Sequence, residues 1–544
     1  MVTQRARRQG LPLPDVGSRL GWKPQWQLSS LLLLLAALAV GAAMLLPPAY
    51  LLVRAAGAGQ AALEILVKGT TVTAFVNTVF LAGSVTLASA LLAVPLAYLT
   101  VATDLPGRRF WSVAAALPLV LPSYVAAYLI ASILGPRGLL QQGLEPLLGI
   151  VRLPTIYGFP GAFLSLTLMS YPYTFLSVRA ALKRMDPALV EAARSLGHTP
   201  WQAFRRITLP HLRPALVAGS LLVCLYVVRD FGAVSLMRYD TFTRIIYVQY
   251  RSFLDRSLAA SLALVLIAMT AAILYFELRT RGRAAYARRS VGAARRATPV
   301  KLGRWRWPAL IFMGSVVFGA LVLPAGGLLY WLVRGLESGP ALAGLWSAAW
   351  NSLSVSLAAA FIAIAAALPV AILSVRRPGH LSQLLERLTY VGFALPGIVI
   401  ALALVFFGAS YAPSIYQTLP LLLAGYVILF IPQAVGSTRA SLLQVPASLE
   451  EAGRSLGQSQ STVLRKITIP LLRPGLVAGA GLVFLTCMKE LPATLLLSPL
   501  GFRTLATGVW GSISEAFFAQ AAAPALLLVL LSSVPLAILT LRED

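Results

Sequence analysis

The sequence predicts an all-α polytopic membrane protein made of two homologous six-helix halves, about 12 transmembrane helices in all. Three observations carry that prediction. Of 544 residues, 58% are hydrophobic and only 12% charged, against roughly 25% charged in an ordinary soluble domain. The apolar residues fall in repeated runs of about 20, the length that crosses a bilayer. A long polar-and-apolar segment also occurs twice. A soluble enzyme is excluded.

The elements follow in order. Residues 1–27 form a basic tail whose opening, MVTQRARRQG, resembles a signal-peptide n-region; the apolar run after it lacks a short h-region with a small-residue cleavage site, so a retained anchor is expected. Spans of the first half, residues 28–279, are expected near 28–53, 71–101, 110–135, 157–178, 214–229 and 257–277. Residues 280–306, interleaving Lys and Arg with Gly, Ala and Ser, read as a cytoplasmic linker that anionic headgroups attract. The second half, 307–544, places spans near 308–333, 350–375, 388–409, 417–437, 475–488 and 520–541. Pro122, Pro172, Pro396 and Pro432 fall inside spans, which neighbouring helices tolerate by re-satisfying the freed backbone groups.

Charge sets the orientation. The net charge of +27 would suggest nucleic-acid binding in a soluble chain, but with a cytoplasmic start 33 of the 45 Lys and Arg fall in inward segments and 12 in outward ones. That is a positive-inside bias, which puts both termini in the cytoplasm and explains the excess without nucleic acid. Cys224 and Cys487 both lie in apolar runs and make no disulfide framework.

The repeat is specific. EAARSLGHTPWQAFRRITLPHLRPALVAG begins at Glu191 and EAGRSLGQSQSTVLRKITIPLLRPGLVAG at Glu451, an offset of 260, with 17 of 29 positions identical. Shared Glu, Arg, Gly and Pro cannot arise from hydrophobicity alone, so duplication is the simplest account. Upstream, Asn77 matches Asn351 and Pro122 matches Pro396 at an offset of 274. The 14-residue difference falls in an outward loop, where length changes cost little. Two parallel repeats place a substrate path between them.

Each repeated segment reads as helix, turn and helix on the cytoplasmic face. Thr199 before Pro200 is an N-cap, a role Ser459 takes in the second copy, and Gly197 and Gly457 supply the turn. Short helices are expected over 188–196 and 201–206, the second ending before Leu209-Pro210. Glu191 and Glu451 are expected near helix N-termini, where negative charge is favoured. Trp201, Phe204, Val463 and Leu464 are expected to be exposed for packing into a partner's groove. A DNA-binding helix-turn-helix, a purely structural re-entry loop and a docking element all fit this pattern locally, although two copies wedged between spans have little room to reach a major groove.

The residues Glu191, Ala192, Ala193, Gly197, Ile207, Leu209 and Pro210 carry the spacing Glu-Ala-Ala, three residues, Gly, nine residues, Ile-x-Leu-Pro. This resembles the EAA loop of permeases in binding-protein-dependent ABC importers. The second copy, Glu451, Ala452, Gly457, Ile467 and Pro470, departs only at Gly453 and Ile469. The resemblance implies a type I ABC importer permease fold, with transmembrane cores about 71–279 and 347–541. It also implies that each loop is a coupling helix seated on a cytoplasmic ABC ATPase dimer that uses ATP and Mg, and that an extracytoplasmic substrate-binding protein delivers the substrate. No G-x-x-x-x-G-K-[ST] occurs, so this chain carries no phosphate cradle and is expected to bind no cofactor. His198, His211 and His380 lack metal-ligand spacing.

For the substrate, RDFGAVSLMRYDTFTRIIYVQY from Arg229 and KELPATLLLSPLGFRTLATGVW from Lys489 resemble ferric-iron importer permeases fused into one chain. Fused thiamine permeases share the plan, and sulfate, molybdate, polyamine and phosphonate permeases share the EAA loop. Ferric iron prefers carboxylate and phenolate oxygens, and Asp230, Tyr239, Asp240, Tyr247, Tyr250, Asp255 and Glu490 are expected near the outer mouth. The opposing expectation is that the tyrosines form an aromatic belt and that Arg229-Asp230 and Lys489-Glu490 are local ion pairs. Arg238, Arg244, Arg251 and Arg256 repel a bare cation but suit an acidic binding protein. An ion-coupled secondary transporter needs acidic residues in span centres, where they are nearly absent.

Overall fold

A computed structural model describes residues 28–57, 59–252, 256–284, 299–337 and 344–541, all helix or connection without a strand among them. The first half runs α1 (Leu28–Gly57), α2 (Gly69–Ala102), α3 (Ser123–Leu134), α4 (Phe159–Arg184), α5 (Pro187–Ser195), α6 (Pro200–Ala203), α7 (Leu209–Arg229), α8 (Gly232–Leu236), α9 (Phe242–Ser252) and α10 (Arg256–Ala284). The second runs α11 (Arg306–Val317), α12 (Leu323–Glu337), α13 (Leu345–Arg376), α14 (His380–Thr389), α15 (Gly397–Tyr411), α16 (Leu419–Gln444), α17 (Ala447–Ser455), α18 (Gln460–Val463), α19 (Ile469–Met488), α20 (Pro492–Leu497), α21 (Leu505–Ser514) and α22 (Phe518–Leu541). Helices cover every predicted span. Nine among the described residues are long and apolar enough to cross a membrane, or ten if the bent pair His380–Ala394 and Gly397–Tyr411 counts as one.

In each half, three long helices pack together: α2, α4 and α7 in the first, α13, α16 and α19 in the second. Small residues permit the close approach that packing in lipid requires. At Gly219 of α7 a Cβ would stand 2.7 Å from the Thr174 Cα of α4. The first helix of each half crosses to the other. α1 lies against α10 of its own half and against α13, α14 and α15 of the other, and Tyr50 donates to the Phe406 carbonyl at 3.3 Å. Conversely, Ala309, Met313, Val316 and Ala320 of the segment through α11 join a core with Leu96, Tyr171 and Phe175 of the first half. Between the halves, Tyr128 donates to the Phe518 carbonyl at 2.8 Å.

The third pass of each half is broken. Leu121 and Pro122 are extended, with φ −74° and −65°, as are Leu395 and Pro396 at −100° and −62°. Proline has no N–H and disfavours helical angles in the residue before it, so the helix stops and restarts. In the second half the bend is 105°. The 14 extra residues of the first half hold a short helix, Leu139–Leu148. Residues 299–302 return to the end of α2, where the Val300 amide donates to the Ala102 carbonyl at 2.8 Å and the Leu302 amide to Asp104 Oδ1 at 2.8 Å. The rest of the linker's centre, residues 285–298, lies outside the described residues, as does Asp255.

Candidate functional site

The repeated loops form the same hairpin twice. Gly197 and Gly457 adopt φ +87° and +79°, the left-handed region where a side chain is strained. Thr199 caps α6 with a complete capping box, its Oγ1 accepting from the Gln202 amide at 3.3 Å while Gln202 Oε1 accepts from the Thr199 amide at 3.0 Å. Ser459 accepts from the Thr462 amide at 3.3 Å. Ala193 and Ala203 are buried; their counterparts are Gly453 and Val463, a smaller residue opposite a larger one. A Cβ on Gly453 would lie 3.1 Å from Val463 Cγ2, so the departure from Glu-Ala-Ala is a volume exchange.

Four expectations about these loops are corrected. The second short helix does not end before Leu209-Pro210 but continues through a π turn, Phe204–Thr208, in which the Leu209 amide reaches the Phe204 carbonyl. The wider turn accommodates Pro210, which has no amide to give, and Pro470 is treated alike after Leu464–Thr468. Glu191 and Glu451 are exposed in the middle of α5 and α17, not at their N-termini; Asp186 caps α5, and Glu450 is the first-turn acid of α17. Val463 is buried, Phe204 and Leu464 are half-buried, and the Phe204 ring stacks on Trp201 and meets Tyr98 edge-on. Exposed instead are Leu196 and Leu456, at 82% and 80%, beside the turn glycines. An apolar residue ending an otherwise polar helix face was the available signal. Ala192 and Ala452 are exposed, while Ile207, Ile467, Pro210 and Pro470 are half-buried.

The two loops differ in one brace. Arg376 at the end of α13 pairs with Glu450 at 3.0 Å and donates to the Val445 carbonyl at 2.9 Å, and Thr468 also donates to Glu450. The first half has Ala102 and Val190 at these positions.

The second site is a cavity of about 370 Å³ between the halves, at the two broken passes. Repeat-related residues line it: Ser123 and Gly397, Tyr173 and Gln433, Arg229 and Lys489, Asp230 and Glu490. Asp230 and Glu490 line this cavity between the halves, where the chain turns back into the bundle after α7 and α19. Arg229-Asp230 and Lys489-Glu490 do not form local ion pairs. Asp230 caps α8, accepting from the Ala233 and Val234 amides at 2.9 and 3.4 Å, and takes a further hydrogen bond from Ser123. Glu490 accepts from the Ala493 amide at 3.1 Å. The cations cross between halves instead: Arg229 donates to the Phe393 carbonyl at 3.1 Å and Lys489 to the Leu119 carbonyl at 3.0 Å. Leu119 and Phe393 are themselves repeat-related, and their carbonyls are orphaned by the breaks at Pro122 and Pro396. A cation at a helix C-terminal carbonyl is favourable.

Tyr239 and Asp240 lie apart from the cavity. Tyr239 donates to Asn77 Oδ1 at 3.2 Å and Asp240 pairs with Arg244. Asn77 in turn donates to the Asp240 carbonyl at 3.0 Å, and Asn351 to the Arg503 carbonyl at 2.9 Å. These two asparagines pin the returning segments to α2 and α13. On the cavity's far side from the loops, Phe231 closes it, its ring 5.2 Å from Trp510 and 4.9 Å from Tyr247. Leu222, Leu225 and Tyr226 precede Arg229 on α7, so the cavity extends from the charged layer toward the loops.

Comparison with known proteins places these features. Residues 86–281 and 359–542 match the family described as binding-protein-dependent transport system inner membrane component. An Fe(3+)-transport system permease protein of Haemophilus influenzae is 33% identical over 521 residues, covering 95% of this chain and 98% of its own. A ferric transport system permease protein of Actinobacillus pleuropneumoniae is 26% identical over 458 residues, 81% of this chain and 66% of that one. A molybdenum transport system permease protein of Escherichia coli (strain K12) is 35% identical over 137 residues, 25% of this chain and 58% of its own.

Proposed function

Because this chain belongs to the family of binding-protein-dependent transport system inner membrane components, we propose that it is the permease of an ATP-driven ABC importer that moves ferric iron into the cytoplasm. The observation that carries the substrate is the alignment with the Fe(3+)-transport permease over 95% of this chain; the molybdenum relative aligns with a quarter of it. An extracytoplasmic binding protein delivers the iron. A separate cytoplasmic ATPase dimer, using ATP and Mg, seats Glu191 to Pro210 and Glu451 to Pro470, with Leu196, Leu456 and Trp201 as the apolar contacts. The protein sits in the plasma (inner) membrane with both termini in the cytoplasm.

ATP binding closes the ATPase pair and moves the two loops. Each loop is continuous through its π turn with α7 or α19, whose far ends carry Arg229 and Lys489. Displacement of a loop therefore acts directly on the charged layer of the cavity. Rigid-body motion of the halves then alternates access.

Uptake of labelled ferric iron, with thiamine and molybdate in parallel, in cells lacking the gene and in cells with it restored tests the reading. Loss and recovery of iron uptake alone supports it. Loss of thiamine or molybdate uptake instead keeps the permease and overturns the substrate.

A further inference from the structure

The charged layer of the central cavity is asymmetric in what it has left to offer. Of the carboxylates, Asp230 accepts from Ser123 and from the Ala233 and Val234 amides, while Glu490 accepts from the Ala493 amide through one oxygen and faces Arg229 electrostatically. The two cations keep most of their donors free. Arg229 has five N–H donors and Lys489 three, and each gives one to a backbone carbonyl across the boundary between halves. Among the described residues neither side chain makes another hydrogen bond. Tyr124, 3% exposed and lining the same cavity, has a hydroxyl without a partner. The helices restarting at Ser123 and Gly397 add the positive ends of α3 and α15.

Such a site balances two cations against two carboxylates and has more free donors than free acceptors. A bare trivalent ion meets two cations there and carboxylates already turned to backbone amides. An oxygen-rich anion meets what it needs: a planar guanidinium suited to bidentate binding of carboxylate or phosphate, and an ammonium. Ferric iron is a hard acid that holds such oxygen ligands. We propose that the central cavity is an oxyanion site and that ferric iron crosses the permease with a carboxylate or phosphate ligand still attached. This deepens the ferric reading above and rests on it.

The test uses the complete importer in proteoliposomes, permease with its ATPase, supplied with binding protein carrying radioactive ferric iron. One arm contains labelled citrate and the other labelled inorganic phosphate, which separates the two sources of oxyanion. The expected result is that one anion accumulates with iron in a fixed molar ratio and only when ATP is present. The double variant Arg229→Gln/Lys489→Gln should lower iron and anion entry together by about tenfold or more, while Lys489→Arg retains uptake. Iron entering in both arms without either anion overturns the inference and leaves the ferric reading intact. No iron entry in either arm overturns both. The wild-type ratio is decisive by itself, so a poorly folded variant does not blunt the test.

Discussion

Gly397 leaves the space that Glu490 occupies: a Cβ at Gly397 would stand 2.5 Å from Glu490 Oε1. In the other half the same two positions hold Ser123 and the shorter Asp230, joined by a hydrogen bond. The two halves thus reach the same cavity wall in different ways, a hydroxymethyl facing the shorter acid in one and a bare glycine facing the longer acid in the other.

That exchange predicts a compensating pair. Gly397→Ser alone should destabilise the protein by about 1–3 kcal/mol through overpacking, and Gly397→Ser/Glu490→Asp should recover most of it. Thermal unfolding of the purified permease in detergent measures both. Equal melting temperatures for the single and double variants would refute the compensation.

Gly457 predicts uncoupling. Its φ of +79° strains any side chain by about 1–2 kcal/mol, yet nothing lies within 4 Å of a Cβ there, so a bulky substitute fits sterically but shifts the hairpin. Gly457→Val should insert in the membrane normally and still associate with the ATPase, while iron uptake per ATP hydrolysed falls. Normal coupled uptake would count against the loop's assigned role.

The Arg376–Glu450 brace predicts an unequal pair of loops. Arg376→Ala strands a half-buried carboxylate, and breaking a buried pair in this way costs about 3–5 kcal/mol at full burial; at 15–16% side-chain exposure the lower end is expected. Arg376→Ala/Glu450→Val, which copies Ala102 and Val190 of the first half, should be milder than Arg376→Ala. A double-mutant cycle on stability and uptake checks this, and strict additivity would dismiss the brace.

Gly219→Val should be among the most damaging single changes outside the cavity, because the added carbon meets the Thr174 backbone rather than a side chain that can move. A loss of about 1–3 kcal/mol or more is expected. A melting temperature unchanged from wild type would show that α4 and α7 can separate without cost.

Much of this was legible in the sequence, and the remainder has physical reasons. The duplication is readable because Gly197 and Pro210 with their partners do work that hydrophobicity cannot replace, and the caps Thr199 and Ser459 are readable because an N-cap is a local hydrogen bond. The depth of Asp230 and Glu490 was not readable. It depends on a returning segment held by Asn77 at a separation of 163 residues, and a charged residue after an apolar run looks like a mouth until that contact is seen. The burial of Val463 is not readable either, because burial of a loop residue is set by what stands opposite, here the space left at Gly453. The crossing of α1 is equally invisible: a helix that is apolar on all sides gives no hint of which neighbour it will choose.

That crossing has a consequence for how the protein is made. Tyr50 of α1 waits for Phe406, 356 residues later in the chain. At about 5–20 residues per second of translation, the first helix leaves the ribosome roughly 20–70 seconds before that part of its seat exists. In the interval the face of α1 that meets the second half, with Met44 beside Gly392, must be covered by lipid or by an insertion chaperone. Biogenesis is therefore expected to finish by capture of an early helix by a late one, and a chain stalled after the first half should be a target for membrane proteolysis.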